Sequence, residues 1–408
     1  MRSLSDRKKP SVLALANEVR SGVGPAAGDA QVYRMCRDTC LKRISELKAP
    51  LSMDETKKII RLVYATLRCE LEILQDLADD PMVTEIMVNG PGAVFIERGQ
   101  GMERSDIAFE TAVQLEHVIQ RLAAGVGREM NDLNPIVDAR LSDGSRINAV
   151  AANIAIGGPI LTIRKFNKSR MSMEDLVAQG DISRDAAELL KKLVRCRYNI
   201  FVSGGTSSGK TTFLNVLSDF IPPQERVIVI EDSAELQIRA HENLVRLEAK
   251  SANAHGRGAV SIKDLIKASL RMRPDRIIVG EVRGEEVVDM LAAMSTGHDG
   301  SLSTGHANSA KGMLARLETM FLSGTNFPIE AVRGQIAQAM DVFVHLARTP
   351  DGHRRVMEIS EVRGVENGEV RLAQLFGYEP GKGLGATGEK LAKTEKLRLR
   401  GAQLPDGL

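Results

Sequence analysis

Apolar residues change their spacing along the chain and so divide it into regions of different predicted structure. Residues 1–30 are polar and rich in small side chains, which predicts a mobile tail. In residues 31–79 apolar residues recur every three or four positions, which predicts two helices that pack as a hairpin. Ser52 and Glu55 have the spacing of a capping box, so the second helix is predicted to begin there and to run to about Leu77. We interpret residues 31–79 as a helical extension.

From residue 80 the pattern shifts to short apolar runs separated by turn residues, which is typical of strands. Two hairpins are predicted, one around the turn Asn89–Gly92 and one around Ser142–Ser145, with a helix between them over residues 111–124. The predicted strands are 84–88, 93–97, 137–141, 146–150 and 161–166. These elements predict a compact α+β domain over residues 80–166, followed by a polar linker at 167–172.

Residues 173–380 alternate short apolar runs with helical periodicity, the order typical of a mainly parallel sheet covered by helices. The predicted strands are 199–203, 226–230, 277–279 and 301–304, and the predicted helices include 212–220, 262–272, 285–294 and 310–322. Three later runs predict an antiparallel meander, at 342–346, 356–361 and 370–375. Residues 381–408 are small and basic, which predicts a loose tail. The predicted fold class is therefore α/β, with a smaller α+β domain and a helical extension in front of the main sheet.

One stretch combines a glycine-rich turn with the flanking elements that a phosphate-binding loop requires. It follows the predicted strand 199–203 and precedes the predicted helix 212–220. Glycines let successive backbone N–H groups face one anion, and the N-terminus of the helix adds positive partial charge. A glycine-rich loop that ends in Gly-Lys-Thr by chance would lack this context. The predicted nucleotide-binding residues are Gly204, Gly205, Thr206, Ser207, Ser208, Gly209, Lys210, Thr211 and Thr212.

Two residues of this loop have specific predicted roles. Lys210 would reach the β- and γ-phosphates of ATP, and the hydroxyl of Thr211 would ligate Mg²⁺. ATP and Mg²⁺ are therefore the predicted ligands of the chain.

Acidic residues follow two of the predicted strands, at the ends where an open α/β sheet keeps its ligand crevice. Glu231 and Asp232 come after one strand, and Glu281 comes after the other. Acids at strand ends are often only solvated, but two such ends beside a phosphate-binding loop favour catalysis or metal binding. We predict that Glu231 orients or deprotonates the attacking water and that Glu281 holds Mg²⁺, with Asp232 as a further metal ligand. The sequence leaves open whether Glu231 and Glu281 exchange these roles.

Two histidines, His298 and His306, each end a Thr-Gly-His triplet and lie on either side of a short predicted strand. A lone histidine is more often structural, but this repeated arrangement predicts a polar sensor of the γ-phosphate. Zinc binding is the weaker alternative, because no cysteine or further histidine clusters with them in the sequence.

Arginines could meet the charge that develops on the γ-phosphate. Arg146 and Arg164 fall on predicted strands of the α+β domain and are the strongest candidates, with Arg140 as a third. The alternative for each of these arginines is a solvated position on the surface, where most arginines lie. A second group, before the strand at 277–279, comprises Arg271, Arg273 and Arg276.

Composition narrows the class of protein. The 408 residues include 55 Lys and Arg against 53 Asp and Glu, and this balance gives no support for a nucleic-acid-binding surface. Trp is absent and aromatic residues are few, so platforms for base stacking are not expected. The four cysteines have no CxxC spacing, which fits a reducing compartment. Cys36 and Cys40 are interpreted as two small packing residues, with a metal site as the weaker alternative. No apolar run is long enough to span a bilayer, and the N-terminal one is too short for a secretory signal, so a cytoplasmic location is predicted.

The full set of motifs resembles the secretion-ATPase superfamily of type II secretion, type IV pilus and type IV secretion motors. Within it, the chain is most similar to the CpaF/TadA branch, which powers tight-adherence (Flp-type) pili. Residues 80–90 resemble the N-terminal signature of that branch, and residues 204–211 match Walker A. Residues 230–235 resemble the Asp box, Gly280-Glu281 the atypical Walker B motif, and residues 296–306 the His box. The resemblance covers about residues 80–375.

Two departures from the family pattern stand out, and neither is expected to abolish activity. Ser233 replaces a proline of many relatives, and Gly305 replaces a leucine. The tetracysteine zinc module of some relatives is missing, so zinc is not inferred.

The resemblance implies a RecA-like ATPase motor that works as a homohexamer, with nucleotide between the two domains. Arginines of the N-terminal domain would close on the phosphates, and force would pass to polytopic inner-membrane platform proteins. Attachment to the membrane would be peripheral, on its cytoplasmic face. The implied function is assembly of a pilus, with retraction as a second direction of movement. The alternatives are a type IV secretion ATPase that moves effector or DNA, a RecA-like nucleic-acid motor, and a nucleotide-gated scaffold without hydrolysis.

Overall fold

The chain divides into two compact units, Met1–Lys168 and Ser169–Leu408. The computed structural model describes residues 10–24, 26–47, 51–99, 101–166, 171–238, 241–250, 252 and 257–403. The predicted linker therefore lies mostly outside the described residues, since 167–170 are not among them. None of the helices in the described part of the chain is both long and apolar enough to cross a membrane.

Three helices at the start of the first unit pack around one apolar cluster. They are α1 (Val12–Gly22), α2 (Asp29–Ser45) and α3 (Met53–Arg68). Helix α1 falls in the region predicted as a mobile tail, so that prediction is wrong for residues 12–22. Leu15, Ala16 and Val19 are buried. With Val12 they recur at the spacing of one helical face, a signal that the polar residues between them obscured.

The capping box at Ser52 and Glu55 forms as predicted, since the Ser52 side chain accepts from the backbone N–H of Glu55 at 3.1 Å. Helix α3 nevertheless ends at Arg68, before the predicted end. A short 3-10 helix (Glu72–Leu74) and helix α4 (Gln75–Asp79) follow. Glu72 has a left-handed backbone conformation with φ of 48°, which interrupts the helical path. Its buried carboxylate accepts a hydrogen bond from Arg121 at 3.0 Å, so a distant contact fixes the break.

The rest of the first unit is a six-stranded antiparallel sheet with strand order β3-β2-β1-β6-β5-β4. The strands are β1 (Val83–Asn89), β2 (Val94–Arg98), β3 (Gly101–Arg104), β4 (Ile136–Arg140), β5 (Arg146–Val150) and β6 (Ile160–Arg164). Helix α5 (Ala112–Gly125) covers one face, where its apolar side chains share a core with alternate residues of the strands. Both predicted hairpins form, β1 with β2 and β4 with β5.

The second unit contains a nine-stranded sheet with strand order β15-β14-β13-β12-β7-β11-β10-β8-β9. Its strands are β7 (Ile200–Gly204), β8 (Val227–Glu231), β9 (Leu244–Glu248), β10 (Arg276–Val279), β11 (Leu302–His306), β12 (Val342–Arg348), β13 (Arg354–Glu366), β14 (Glu369–Glu379) and β15 (Gly383–Ala386). Its helices are α6 (Met173–Ala178), α7 (Arg184–Arg195), α8 (Lys210–Ser218), α9 (Ile262–Ser269), α10 (Glu286–Ser295), α11 (Ala310–Gly324), α12 (Ile329–Ala339) and α13 (Glu395–Leu399).

Six neighbouring strands of this sheet, from β12 to β9, run parallel, and β13, β14 and β15 continue it antiparallel. Strands β7, β8 and β10 are buried along their whole length, because helices cover both faces of the sheet. The predicted α/β class is confirmed. Strands β9 and β15 and helix α12 were not predicted from the sequence.

The segment predicted as a loose C-terminal tail is ordered over residues 383–399, where β15 and α13 form. Leu391 and Leu397 are buried in the core of the second unit. Glu361, a fully buried carboxylate on β13, accepts hydrogen bonds from the backbone N–H groups of Ala392 and Lys393. Hydrogen bonds to an acidic residue far away in the sequence stabilise this segment. Its own small and basic residues do not indicate such contacts.

Candidate nucleotide-binding site

The glycine-rich loop lies between β7 and α8 at the C-terminal edge of the parallel strands, as predicted. Two of its glycines are required by geometry. A Cβ atom on Gly204 would lie 2.4 Å from Ser208 Oγ and 2.5 Å from the carbonyl oxygen of Leu346. Gly209 has φ of 93° and is the N-cap of α8, a conformation that favours glycine. The loop is therefore held in a tight curve that opens at the helix N-terminus.

We expect Gly204→Ala to lower the free energy of unfolding by about 1–3 kcal/mol, because the added methyl group meets a backbone carbonyl that cannot move aside cheaply. Gly205→Ala is the matched control, since a Cβ atom there has no heavy atom within 4 Å and φ is not positive. Thermal unfolding without nucleotide checks this pair. Equal melting temperatures for the two variants would contradict the packing argument.

Lys210 is only 8 % exposed. Its Nζ donates to the carbonyl oxygens of Gly204 at 3.1 Å and of Gly205 at 2.8 Å. The ammonium group therefore folds back over the start of the loop. This position suits a lysine that meets phosphate oxygens held by the same loop.

His306, at the end of β11, lies between Lys210 and Glu281. Its Nδ1 is 3.3 Å from Lys210 Nζ, and its Nε2 is 2.7 Å from Glu281 Oε1. The ammonium can only donate, so Nδ1 is the acceptor and the imidazole proton belongs on Nε2, facing the carboxylate. Burial, and secondarily Lys210, lower the pKa of His306, while Glu281 opposes them. The three side chains form a continuous polar line at the mouth of the loop.

Glu281 accepts a hydrogen bond from Arg283 Nη2 at 2.7 Å through its other oxygen, Oε2. Arg283 Nη1 lies 3.8 Å from Asp232 Oδ2. The Asp232 side chain is 63 % exposed, in contrast to its neighbour Glu231. Arg283 thus connects the acidic residues that follow β8 and β10, and sequence reasoning did not single it out.

Glu231 is 4 % exposed and is hydrogen-bonded to the loop that follows β8. Its Oε1 accepts hydrogen bonds from the backbone N–H groups of Glu235 at 2.7 Å and Leu236 at 2.8 Å. Burial raises the pKa of Glu231, and these two N–H groups and Arg246 oppose the rise. The bonds place Glu235 beside the loop, where Thr211 Oγ1 lies 3.4 Å from Glu235 Oε2.

The groups around Thr211 fit a magnesium ion by their chemistry, because hydroxyl and carboxylate oxygens are the ligands that Mg²⁺ prefers. Thr211 and Glu235 are in contact, and Glu281 lies on the other side of His306. Among the described residues, no group of three or more His, Cys, Asp or Glu side chains forms a complete metal site by itself. Waters and phosphate oxygens would have to complete the coordination, as they do for Mg²⁺ bound to nucleotides.

The structure does not bring the two predicted sensor histidines together. His306 pairs with Gly204 in the β11–β7 register, so it lies at the edge that carries the loop. His298 precedes the first residue of β11 and therefore lies at the opposite, N-terminal edge of the sheet. Its Nδ1 is 3.3 Å from the carbonyl oxygen of Ala293, at the end of α10. Within this chain, therefore, only His306 of the two lies beside the glycine-rich loop, and its contact with a γ-phosphate stays a prediction.

The arginines at the start of β10 and before it are also at the wrong edge for the loop, because the other end of this strand leads to Glu281. Arg276 is fully buried and donates through Nε to Glu225 and through Nη1 to the carbonyl of Val194. Burial lowers the pKa of Arg276. Arg276 therefore has a structural role, and its prediction as a candidate cation for the γ-phosphate is wrong.

In the first unit, the three candidate arginines lie side by side. Arg140 pairs with Arg146 between β4 and β5, and Arg146 pairs with Arg164 between β5 and β6. Residues directly opposite one another in antiparallel strands share a face, so the three form one row. Glu85 on β1 pairs with Arg164 and offsets the charge at one end. The row places three positively charged residues side by side on this sheet.

His345 on β12 is a buried neighbour of the loop that the sequence analysis missed. Its Nδ1 lies 3.0 Å from Ser203 Oγ. Burial lowers the pKa of His345; Glu358 opposes this and Lys210 reinforces it. The folded protein therefore keeps this imidazole neutral at a pH where the unfolded chain already takes up the proton.

We expect this difference to make stability depend on pH. Above about pH 6.5, the pKa of histidine in the unfolded chain, neutral His345 costs the folded protein no stability. As pH falls below this value the free energy of unfolding decreases, because the unfolded chain binds the proton more readily. His345→Gln should flatten the fall in melting temperature between about pH 7.5 and about pH 5.5. His117→Gln, at an exposed position on α5, is the control and should leave the fall unchanged. An equally steep fall in His345→Gln would contradict the assignment.

Residues 69–387 match the model of a protein family described as Type II/IV secretion system protein. The chain belongs to this family. A Mycobacterium tuberculosis protein with the provisional name of a conjugal transfer protein is 38 % identical over 315 residues, which are 76 % of this chain and 89 % of that protein. The type IV secretion system protein VirB11 of Brucella suis is 33 % identical over 329 residues, covering 73 % of this chain and 90 % of VirB11.

A solved structure also resembles this secretion-system protein. The ATPase DotB of Yersinia pseudotuberculosis superposes with a TM-score of 0.52 over 78 % of this chain and 82 % of DotB, at 16 % identity. At that level of identity the likeness shows a shared fold. The family match and the fold agree with the superfamily that the sequence motifs indicated.

Proposed function

We propose that this secretion-system protein is a Mg²⁺-dependent ATPase whose turnover drives assembly of a tight-adherence (Flp-type) pilus. The observation that carries the enzymatic part is the line from Lys210 through His306 to Glu281 at the mouth of the glycine-rich loop. A cation, a neutral imidazole and a carboxylate there supply charge for the γ-phosphate and an acceptor for the proton of the attacking water.

Each residue of this line would have a defined role. Lys210 would leave the carbonyls of Gly204 and Gly205 to contact the β- and γ-phosphates. His306 would donate from Nε2, and its low pKa keeps it neutral when it does so. Glu281 would orient the attacking water and accept its proton. Glu231 would instead hold the loop that carries Glu235, because two backbone N–H groups occupy one of its oxygens.

Thr211 and Glu235 would hold Mg²⁺, which when bound neutralises charge on the β- and γ-phosphates. The row formed by Arg140, Arg146 and Arg164 would meet the same phosphates when the domains of a homohexamer close. Domain closure of this kind converts turnover into rigid-body rotation. We propose that force then passes to inner-membrane platform proteins, with the ATPase attached peripherally on the cytoplasmic side.

Residues 80–90 support the pilus version of this function. They form the end of the helical region, strand β1 and its turn, and their sequence is similar to the signature of the tight-adherence branch. The relatives named for conjugal transfer and type IV secretion support a second candidate with equal force, an ATPase that moves DNA or effector proteins through a secretion channel.

A chromosomal Lys210→Ala allele in the host separates the two candidates. The pilus proposal predicts cells without surface pili by electron microscopy, while transfer of DNA and export of effectors stay at the wild-type level. Loss of transfer or export with normal pili would overturn it in favour of the secretion candidate. Mass measurement of the purified protein with and without an ATP analogue tests the proposed hexamer.

A further inference from the structure

The β12–β13 hairpin projects beside the glycine-rich loop. In the β12–β7 register Leu346 pairs with Gly204, so Ala347 and Arg348 continue past the end of β7 to the same edge as the loop. The hairpin then returns at Arg354, which pairs with Arg348. Hydrogen bonds cross-link the turn, since Thr349 N donates to the carbonyl of His353 and Arg355 Nη1 donates to both carboxylate oxygens of Asp351 at 2.9 Å and 2.7 Å.

Arg354 reaches from this hairpin to the loop itself. Its Nε donates to the carbonyl oxygen of Ser207 at 3.0 Å. Its aliphatic part lies against Gly209, where a Cβ atom would be 3.4 Å from Arg354 Cδ. The start of β13 is anchored on its other side, because Val356 N donates to the carbonyl of Asp181 at 2.8 Å. Arg354, on a hairpin cross-linked by hydrogen bonds, is thus hydrogen-bonded to the outer side of the loop.

The bonded carbonyl belongs to the peptide group that joins Ser207 and Ser208. Ser207 has φ of 57°, a left-handed conformation that costs a non-glycine residue free energy. The N–H of the same peptide group lies 3.4 Å from the Gly205 carbonyl, inside the curve of the loop. A donor on the outer carbonyl fixes this orientation and polarises the peptide, so that its N–H becomes a stronger donor on the inner side.

We propose that Arg354 is a positioning residue for the phosphate-binding loop: by holding the Ser207 carbonyl outward, it keeps the backbone N–H groups of the loop directed at a bound phosphate. This inference rests on the proposed nucleotide binding at the same loop. It assigns Arg354 no contact with nucleotide, only the task of keeping the loop in its binding conformation before nucleotide arrives.

Two substitutions separate the hydrogen bond from the charge. In Arg354→Gln the Nε2 atom stands at the same distance along the side chain as the arginine Nε, so the donor remains and the charge is lost. In Arg354→Lys the charge remains, but a carbon atom occupies the place of the donor. Arg354→Ala removes both. Arg371→Ala is the control, because it removes an exposed arginine on β14 that pairs with Glu366.

The test is equilibrium binding of a fluorescent ADP analogue to the full chain, with steady-state ATP turnover measured beside it. We expect Arg354→Ala to weaken binding and raise KM about tenfold while kcat changes less than about threefold, because loop preorganisation acts on bound and transition states alike. Arg354→Gln should bind within about threefold of wild type, and Arg354→Lys should resemble alanine. Unchanged melting temperatures would exclude unfolding as the cause.

Wild-type binding by Arg354→Ala would overturn the proposal. Wild-type binding by lysine with weak binding by glutamine would also overturn it, since the charge would then act on the nucleotide directly. If the wild-type chain binds the ADP analogue but does not hydrolyse ATP, the proposed function fails while the binding series still tests Arg354.

Discussion

ATP turnover is expected to fall by at least about a thousandfold when Lys210 is replaced by alanine. The Nζ atom lies within 2.8–3.3 Å of the Gly205 carbonyl, the Gly204 carbonyl and His306 Nδ1, so one side chain supplies the cation at the mouth of the loop. Without it, the charge that develops on the γ-phosphate loses the cation that this loop supplies. The measurement is steady-state phosphate release in the presence of Mg²⁺.

Lys382→Ala is the matched control for this variant. Lys382 is an exposed lysine that forms an ion pair with Glu379, a residue of the same turn, at 2.7 Å. It should keep wild-type turnover. The melting temperature of Lys210→Ala shows whether the protein remains folded, so that loss of turnover can be assigned to the missing ammonium group. Turnover within tenfold of wild type in Lys210→Ala would refute the assignment of the site.

The second large effect is expected from Glu281→Gln, which should lower kcat by about two orders of magnitude or more while ADP binding stays within about threefold. Glutamine keeps the size of the side chain but cannot accept the proton of the attacking water. Glu281 is only partly buried, so the amide has access to solvent and the melting temperature should not change.

Glu231→Gln is the informative comparison. The buried carboxylate accepts two backbone N–H groups, and replacing a charged acceptor by an amide should cost about 1–3 kcal/mol of unfolding free energy. For a unit of this size that loss lowers the melting temperature by several degrees, at about 2–4 °C per kcal/mol. If Glu231→Gln instead lost turnover without losing stability, and Glu281→Gln stayed active, the water-activating role would belong to Glu231, the assignment that sequence alone favours.

The sequence predicted the glycine-rich loop with its flanking strand and helix, and the α/β class, because both depend on local signals. The run Ile200–Val202, the glycines after it and the helix that follows fix a strand, a turn and a helix within one short stretch. Lys210 and Thr211 follow from that order alone. Glu281 was found in the same way, since it comes directly after a buried strand.

Features that depend on contacts between distant residues were not predictable in this way. The ordered C-terminal segment rests on Glu361, and Lys396 Nζ in it pairs with Asp341 Oδ2 at 2.8 Å. The opposite placement of His298 and His306 depends on which end of β11 each one flanks. The hydrogen bond from Arg354 ends on the backbone carbonyl of Ser207. Every residue has such a carbonyl, so the residue type at position 207 does not indicate the bond.

The alignment of the arginine row depends on strand register. The sequence placed Arg146 and Arg164 on strands, but only the pairing of β5 with β6 puts them opposite each other. A shift of one residue would turn one of them to the other face of the sheet. Register is a property of the whole sheet, so local patterns could suggest these arginines without showing that they form a row.

A structure determined with Mg²⁺ and a non-hydrolysable ATP analogue would show whether the glycine-rich loop binds nucleotide. The β-phosphate is expected within the curve of residues 204–211 and the γ-phosphate within hydrogen-bonding distance of Lys210 Nζ and His306. A triphosphate bound elsewhere on the chain, or a loop that stays empty at saturating analogue, would contradict this expectation.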